Sequence, residues 1–321
     1  MMIKRIAVVT SGGDAPGMNA AIRAVVRVGL SKGMEVYGIR RGYLGMIRAD
    51  FIPLDSASVG GVIEEGGTIL RTARSPEFMT PEGQQVAIEN LRRIGIEGIV
   101  VIGGDGSMRG ALALARSGIP VVGIPATIDN DIYGTDMSIG ADTALNTVVE
   151  AIDRIRDTAS AHERTFVVET MGRNCGWLAL ESALATGADV VIIPEAPFHL
   201  EEVCAVVQRR QRERKAHTII VVAEGAGRAL EIGRQIQECT GVETRITVLG
   251  HIQRGGAPTA FDRILASRLG AGAVELLVQV TEPSMVGLHC GEVVTRPLEE
   301  VVSKQRRVDL RLYQLEGIFS I

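Results

Sequence analysis

Two carboxylates bracket an asparagine in GIPATIDNDI, residues 123–132, and they are Asp129 and Asp131. The apolar residues just before them, 119–124 (IPVVGI), read as a buried parallel strand, so the acids sit past a strand's carboxyl end. A carboxylate there can take a proton from a hydroxyl or hold a metal ion, and it can equally close an Asx turn in a solvated loop. Two other strand ends are rich in glycine: TSGGDAPGMNAA begins at Thr10, and GGDGS occupies residues 103–107. Glycine lets backbone N–H groups approach a phosphate closely, and a helix N-terminus adds a favourable dipole. Gly12, Gly13 and residues 103–107 therefore look like two walls of an anion pocket. Asp105, inside the second wall, is placed either to hold Mg²⁺ or to cap the helix that follows.

The common nucleotide fingerprints are missing. No Gly-Lys pair occurs, so there is no Walker A loop, and the first strand is not followed by Gly-x-Gly-x-x-Gly. Lysine is scarce: Lys4, Lys32, Lys215 and Lys304 are the only ones among 34 basic residues. A polyphosphate would be held mainly by arginine forks, backbone amides and a divalent cation. Arginines stand in suitable settings at Arg74, Arg164, Arg173, Arg245 and Arg254, the last in HIQRGG beside His251. Most arginines are solvated surface charges, but a guanidinium before two glycines can take a phosphoryl group bidentately.

Composition bounds the rest. With 321 residues, 46% hydrophobic and 22% charged, the chain can bury a sizeable core and divide into about two domains. A net charge of −4 gives no reason to expect nucleic acid or an anionic membrane as the main partner. The N-terminal apolar stretch, residues 6–9, is too short for a signal peptide's hydrophobic region, and no run reaches a membrane span; the scattered cysteines fit a reducing, cytoplasmic setting. Cys175, Cys204, Cys239 and Cys290 are widely scattered without a Cys-x-x-Cys pair or a neighbouring histidine cluster, so neither a zinc site nor a disulfide framework is expected.

The elements that must position these residues show as an alternation. Apolar, mostly β-branched runs at 5–10, 35–40, 98–104, 119–124, 164–170, 189–194 and 217–225 are separated by segments with apolar residues three and four apart, including 18–31, 141–159, 200–214 and 260–280. This predicts βαβ units: an α/β protein with mostly parallel sheets and ligands at the strands' carboxyl ends.

At this point the ordered motifs TSGGDAPGMNAAIR, GGTIL.TAR, VVIGGDGS, TIDNDI.GTD, AIDRIRDTA..HER, MGR and VLGHIQRGG.PTAFDRILASRLG resemble those of the bacterial ATP-dependent 6-phosphofructokinases. The match runs from Ile6 to about Gly270, and only the last fifty or so residues match loosely. The resemblance implies the phosphofructokinase fold, two Rossmann-like three-layer α/β/α domains, with an ATP domain over 1–139 plus 253–304 and a fructose 6-phosphate domain over 140–252 plus 305–321. It implies transfer of the γ-phosphate of MgATP to the 1-hydroxyl of fructose 6-phosphate, in a cytoplasmic homotetramer.

The resemblance also implies roles. Asp129 would be the catalytic base, with Thr127 and Ile128 beside it at the reacting end of the sugar, and Asp131 would organise the loop and Mg²⁺. Arg173 would stabilise charge on the transferring group. Gly13, Arg74, Ser75, Gly104, Gly106 and Ser107 would line the ATP site, with Asp105 as the Mg²⁺ residue. Met171, Gly172, Glu224, His251, Ile252, Gln253 and Arg254 would bind the sugar phosphate, joined by Arg164 and Arg245 from a neighbouring subunit.

An effector site for ADP or phosphoenolpyruvate would use Arg23, Arg27, Arg156, Gly187, Asp189, Lys215 and His217. Ser56, Gly61 and Glu213 depart from the family's pattern there, where relatives often carry arginine, aspartate and a basic residue. Ala126 stands where glycine is common. The alternative, a pyrophosphate-dependent phosphofructokinase, resembles GGDDS and PKTIDND, whereas this chain has Gly106 and Ala126. NAD and lipid kinases share the GGDG element but lack TIDND and HIQRGG, and a catalytically silent nucleotide sensor would be expected to have lost Asp129 or Arg173.

Overall fold

Branched side chains fit a pleated, half-buried surface better than a helix, and the runs rich in them become strands. Over residues 3–279 and 282–319, which the computed structural model describes, the chain opens with β1 (Arg5–Ser11), α1 (Met18–Ser31), β2 (Glu35–Ile39), α2 (Gly42–Ile47), β3 (Phe51–Leu54) and α3 (Pro81–Ile94). It continues through β4 (Gly98–Gly103), α4 (Asp105–Arg116), β5 (Val121–Pro125), α5 (Ala141–His162), β6 (Thr165–Thr170), α6 (Trp177–Thr186), β7 (Val190–Ile192) and α7 (Leu200–Arg212). It ends with β8 (Thr218–Ala223), α8 (Ala229–Thr240), β9 (Thr244–Val248), α9 (Ala260–Gln279), β10 (Ser284–His289), β11 (Glu292–Pro297), α10 (Leu298–Ser303) and α11 (Leu310–Phe319).

These elements form two compact units. The first runs from the N-terminus to Thr143 and resumes over Arg254–Arg306, and the second comprises Ala144–Gln253 with the residues from Arg307 onward. In the first unit seven strands lie in the order β11-β10-β5-β4-β1-β2-β3. The pairings are parallel except at the two edges, where β3 and β11 are antiparallel. The chain fills the sheet outward from β1 to β2, then crosses back to β4, so the crevice between the ends of β1 and β4 is a topological switch point. The second unit holds a parallel sheet in the order β7-β8-β6-β9. The α/β class with mostly parallel sheets follows from both.

Packing in the first unit uses both sheet faces. Ala7, Val9, Ile99 and Val101 meet Tyr43, Leu91, Met108 and Ala111 on one side, all of them buried. On the other side α1 lies against α9 closely enough that a Cβ on Gly270 would stand 2.6 Å from the Ala24 methyl and 2.9 Å from the Ala21 carbonyl oxygen. Only glycine admits that approach.

The segment expected as a helix over 141–159 runs on to His162, the one expected over 200–214 stops at Arg212, and position 280 lies outside the described residues. One sequence expectation is overturned. Cys204 and Cys239 form a disulfide between α7 and α8, with a Cα–Cα distance of 6.5 Å. The 35-residue separation carries no hint of the pairing, which arises because the two helices pack as neighbours in the second unit.

Asp262, fully buried in the first turn of α9, caps the start of α5. It accepts hydrogen bonds from the Gly140 N–H at 2.9 Å, the Thr143 N–H at 2.8 Å and the Thr143 hydroxyl at 2.5 Å. Burial nevertheless dominates and pushes its carboxyl up to about 6, against those hydrogen bonds. With the folded value raised, the native chain binds the extra proton, so this group adds stability as pH falls from about 6 towards 4 and none above. Asparagine cannot titrate and would turn a donor towards one of the three. The stability deficit of Asp262→Asn is therefore expected to widen by about 1 kcal/mol between pH 7 and pH 5. Urea denaturation at both pH values measures this, and a deficit that narrows on acidification refutes it.

Candidate functional site

The site in the first unit is built on the switch point. Ser11 at the end of β1 stands in register with Gly103 at the end of β4. A Cβ on Gly103 would fall 2.4 Å from the Ser11 carbonyl oxygen and 2.5 Å from Ser107 Oγ, so only glycine lets the two turns close up. Ser107 then donates to the Ser11 carbonyl at 2.9 Å, tying the turns together. Its hydroxyl is thus engaged inside the fold. Gly104 occupies the N-cap position of α4, which removes the alternative of Asp105 as the cap: Asp105 is the first helical residue. Its half-exposed carboxylate pairs with Arg109 at 3.0 Å, an i,i+4 surface pair of small energy. Around Gly106 a Cβ would meet nothing within 4 Å.

Arg74 is exposed, and Ser75 Oγ accepts the Phe78 N–H at 3.3 Å. Behind α4 the Tyr43 hydroxyl donates to the Ser107 carbonyl at 2.5 Å while its ring stacks on Phe78 at 4.2 Å. Burial raises this phenol far above its ordinary value, so it stays a neutral donor. Tyr43 escaped the sequence reading because nothing in GYLGM marks a polar tip reaching another element.

The acids follow β5. The Ala126 N–H donates to the Gly103 carbonyl at 3.0 Å, and Ala126 bridges to Ile139, which pins the start of the loop beside the second glycine turn. Ile128 and Asp129 are buried, and the Asp129 N–H donates to Thr127 Oγ1 at 3.2 Å. Between the acids, Asn130 is fully buried with φ 49°. Its Oδ1 accepts the Ser138 N–H at 2.9 Å, and its own carbonyl accepts from Arg306 at 3.2 Å. Asparagine tolerates the left-handed conformation better than most residues and can bond to backbone from it. It is the residue between the carboxylates that fixes how they are presented, and the sequence reading missed it.

In the second unit, β6 and β8 end side by side, with Thr170 in register with Ala223. Beyond them the Arg173 N–H donates to Glu224 Oε1 at 2.8 Å, and the Met171 N–H donates to Gln253 Oε1 at 3.1 Å. Gly172 has φ 136°, and a Cβ there would lie 2.4 Å from the Cys175 carbonyl oxygen. Arg173 adopts φ 52° and presents an exposed side chain. Gln253 is fully buried with its amide committed to Met171 and to the Gly250 carbonyl at 2.9 Å, so it shapes the loop from inside, whereas His251 and Ile252 are exposed.

Arg164 and Arg245 meet at Glu243: Arg164 Nε donates at 2.9 Å and Arg245 forms an ion pair with the other oxygen. The hydrogen bond from Arg164 holds this exposed carboxylate below its usual range.

The residues expected at an effector site fall in both units. Arg23 and Arg27 are one turn apart on α1 of the first. In the second, Arg156 donates to the Thr186 carbonyl, Gly187 ends α6 in the left-handed conformation, and His217 Nδ1 meets Ser160 Oγ at 2.8 Å. Lys215 is exposed. Burial, aided by the Arg156 guanidinium, lowers the His217 imidazole. Asp189 is buried and accepts the Ile219 N–H at 2.7 Å, and its other oxygen is taken by Arg210 at 2.8 Å. Burial raises the Asp189 carboxyl against both partners. Arg210 was not foreseen, since RRQRER offers several equivalent arginines.

The first unit thus sets two glycine turns and a buried aspartate around one helix N-terminus, an arrangement suited to holding phosphate beside a proton acceptor. Comparison with known proteins places the chain in a family. The family described as Phosphofructokinase matches residues 5–277. The chain belongs to the phosphofructokinase family. A relative from Halalkalibacterium halodurans named ATP-dependent 6-phosphofructokinase is 56% identical over 99% of this chain and all of its own length. The Bacillus subtilis protein of the same name is 54% identical with the same coverage.

Among solved structures, a Pichia pastoris phosphofructokinase in the T-state superposes with a TM-score of 0.90 at 38% identity, covering 99% of this chain. The chain spans only 36% of that longer protein. A pyrophosphate-dependent phosphofructokinase from Marinobacter aquaeolei superposes at 0.84 with 23% identity, a likeness of fold alone. No helix among the described residues is long and apolar enough to cross a membrane.

Proposed function

We infer that this phosphofructokinase is an ATP-dependent 6-phosphofructokinase, moving the γ-phosphate of ATP to the 1-hydroxyl of fructose 6-phosphate to give fructose 1,6-bisphosphate and ADP in glycolysis. The observation that carries this reading is the meeting of the Thr127–Asp131 loop with the Gly103–Ser107 turn through the Ala126 hydrogen bond. Asp129 accepts the hydroxyl proton late, as the bond to phosphorus forms. Thr127 orients the base, and Arg173 stabilises charge on the transferring group. Gly13, Arg74, Ser75, Gly104 and Gly106 serve ATP, with Ser107 tying the two turns together, while Ile128, Met171, Gly172, Glu224, His251, Ile252 and Arg254 serve the sugar phosphate, with Gln253 holding their loop from inside. Arg164 and Arg245, presented together at the surface, complete a neighbouring copy's site in a cytoplasmic homotetramer.

Asp105 fits Mg²⁺: a single accessible carboxylate at a helix start suits an ion that keeps waters and takes phosphate oxygens, with Arg109 giving up the pair. When bound, the ion would neutralise charge on the phosphates. The open space at Gly106 supports ATP over pyrophosphate as donor. A coupled assay with fructose 6-phosphate tests the reading directly. Turnover with ATP is expected, and faster turnover with pyrophosphate overturns it.

Control is proposed at Arg23, Arg27, Arg156, Gly187, Asp189, Lys215 and His217, with ADP and phosphoenolpyruvate as effectors. Arg210 already occupies Asp189, and the exposed Glu213 at the end of α7 opposes an incoming phosphate. Replacing a basic residue by glutamate changes local charge by two, and about 1 to 2 kcal/mol of lost attraction lowers anion affinity roughly five- to thirty-fold. ADP is therefore expected to activate weakly at subsaturating sugar phosphate, with cooperativity in fructose 6-phosphate retained and Glu213→Lys strengthening activation. Strong activation by micromolar ADP in the wild type would refute this.

A further inference from the structure

The hairpin between β10 and β11 turns on Cys290 and Gly291, both with positive φ, 49° and 83°. Two-residue turns of this kind favour Asn-Gly or Asp-Gly, because a side chain at the first position must tolerate the left-handed region. Cysteine is an unfavourable choice for the turn alone. What it gains is a set of neighbours. The Cys290 N–H donates to Asp136 Oδ2 at 2.7 Å, Asp136 Oδ1 meets His289 Nδ1 at 3.1 Å, and His289 Nε2 stands 3.7 Å from Cys290 Sγ. Thiol, imidazole and carboxylate gather within 4.8 Å at an exposed turn of the first unit.

The order of these contacts is informative. With Nδ1–H donated to Asp136, the His289 lone pair lies on Nε2, the atom that faces sulfur. A metal-bound histidine ordinarily gives its second ring nitrogen to a carboxylate in this way. For a tetrahedral ion bound at about 2.3 Å to sulfur and about 2.05 Å to nitrogen, those two ligand atoms stand about 3.6 Å apart. The observed 3.7 Å is close to that spacing without rearrangement. Thiolate and imidazole select soft or borderline ions such as Zn²⁺ over Mg²⁺.

We propose that Cys290 and His289, oriented by Asp136, bind one Zn²⁺-class transition-metal ion per chain, with water completing its coordination. The thiol proton leaves to solvent on binding. The site is separate from the Mg²⁺ position proposed at Asp105. It clasps the hairpin to the segment following Asp131, which is already held by the Asp136 N–H to the Leu288 carbonyl at 2.7 Å and the Leu288 N–H to Thr135 Oγ1 at 3.0 Å.

Metal-free protein in a non-chelating reductant, with Mg²⁺ in excess, would be titrated with Zn²⁺ by calorimetry and, in parallel, with Co²⁺ by absorbance. One equivalent per chain with a dissociation constant below about 10 μM, and a thiolate-to-cobalt band, are expected. Both should vanish in Cys290→Asn, which keeps a residue suited to the turn, and in His289→Gln. Asp136→Asn should weaken binding by about 10- to 100-fold. No saturable binding, or binding that survives in Cys290→Asn and His289→Gln, overturns the proposal.

Discussion

The Asp129→Asn enzyme is expected to lose about 10²- to 10⁴-fold in kcat, with the KM values for both substrates within about threefold of wild type. The asymmetry follows from what the substitution removes. Asparagine matches aspartate in size and leaves the backbone N–H free to keep its 3.2 Å bond to Thr127 Oγ1. The loop's shape is held by the Ser138 N–H on Asn130 Oδ1 and by Arg306 on the Asn130 carbonyl, bonds whose own donors and acceptors an isosteric change at position 129 leaves in place. Ground-state binding therefore survives. An amide oxygen is far too weak a base to take the hydroxyl proton as phosphorus bonding develops, so the loss falls on the transition state alone. Steady-state kinetics with each substrate varied in turn decides it. A variant retaining more than a tenth of wild-type turnover removes Asp129 from the role of base.

The same loop shows what the sequence can disclose. The strand before the acids is legible because 119–124 is continuously apolar, and it forms β5 starting two residues later and ending one later, as Val121–Pro125. That each glycine turn follows a strand's carboxyl end is also legible. That they face each other is not, because it depends on β4 pairing directly with β1 after α1, β2, α2, β3 and α3 have intervened. Asn130 is invisible for a related reason: its partners, Ser138 and Arg306, are meaningful only once the sheet has brought Arg306 back to the loop.

The antiparallel hairpin of β10 and β11 eluded the pattern since Cys-Gly is an unusual turn. The Cys204–Cys239 disulfide and the Arg210–Asp189 pair lie between elements whose adjacency is tertiary. Local periodicity therefore reveals elements and ends of strands, while contacts that cross elements must be seen.

Arg254 is the residue where motif and geometry pull in different directions, and Arg254→Ser separates them. By motif its guanidinium serves the 6-phosphate of the sugar. In the structure it is half-buried over the first glycine turn: Nη1 donates to the Asp14 carbonyl at 3.3 Å, and a Cβ on Gly13 would fall 2.1 Å from the same nitrogen. A single weak bond to a carbonyl leaves most of the fork's donors for an anion, and a charge-assisted pair contributes about 1.5 to 3 kcal/mol. Serine there is expected to raise the fructose 6-phosphate requirement by roughly 10- to 150-fold and the ATP requirement less than about threefold. Arg254→Lys should recover part of the loss, since it restores the charge without the fork. If both substrates weaken equally, the guanidinium acts by bracing the Gly13 turn, and its assignment to the sugar phosphate is wrong.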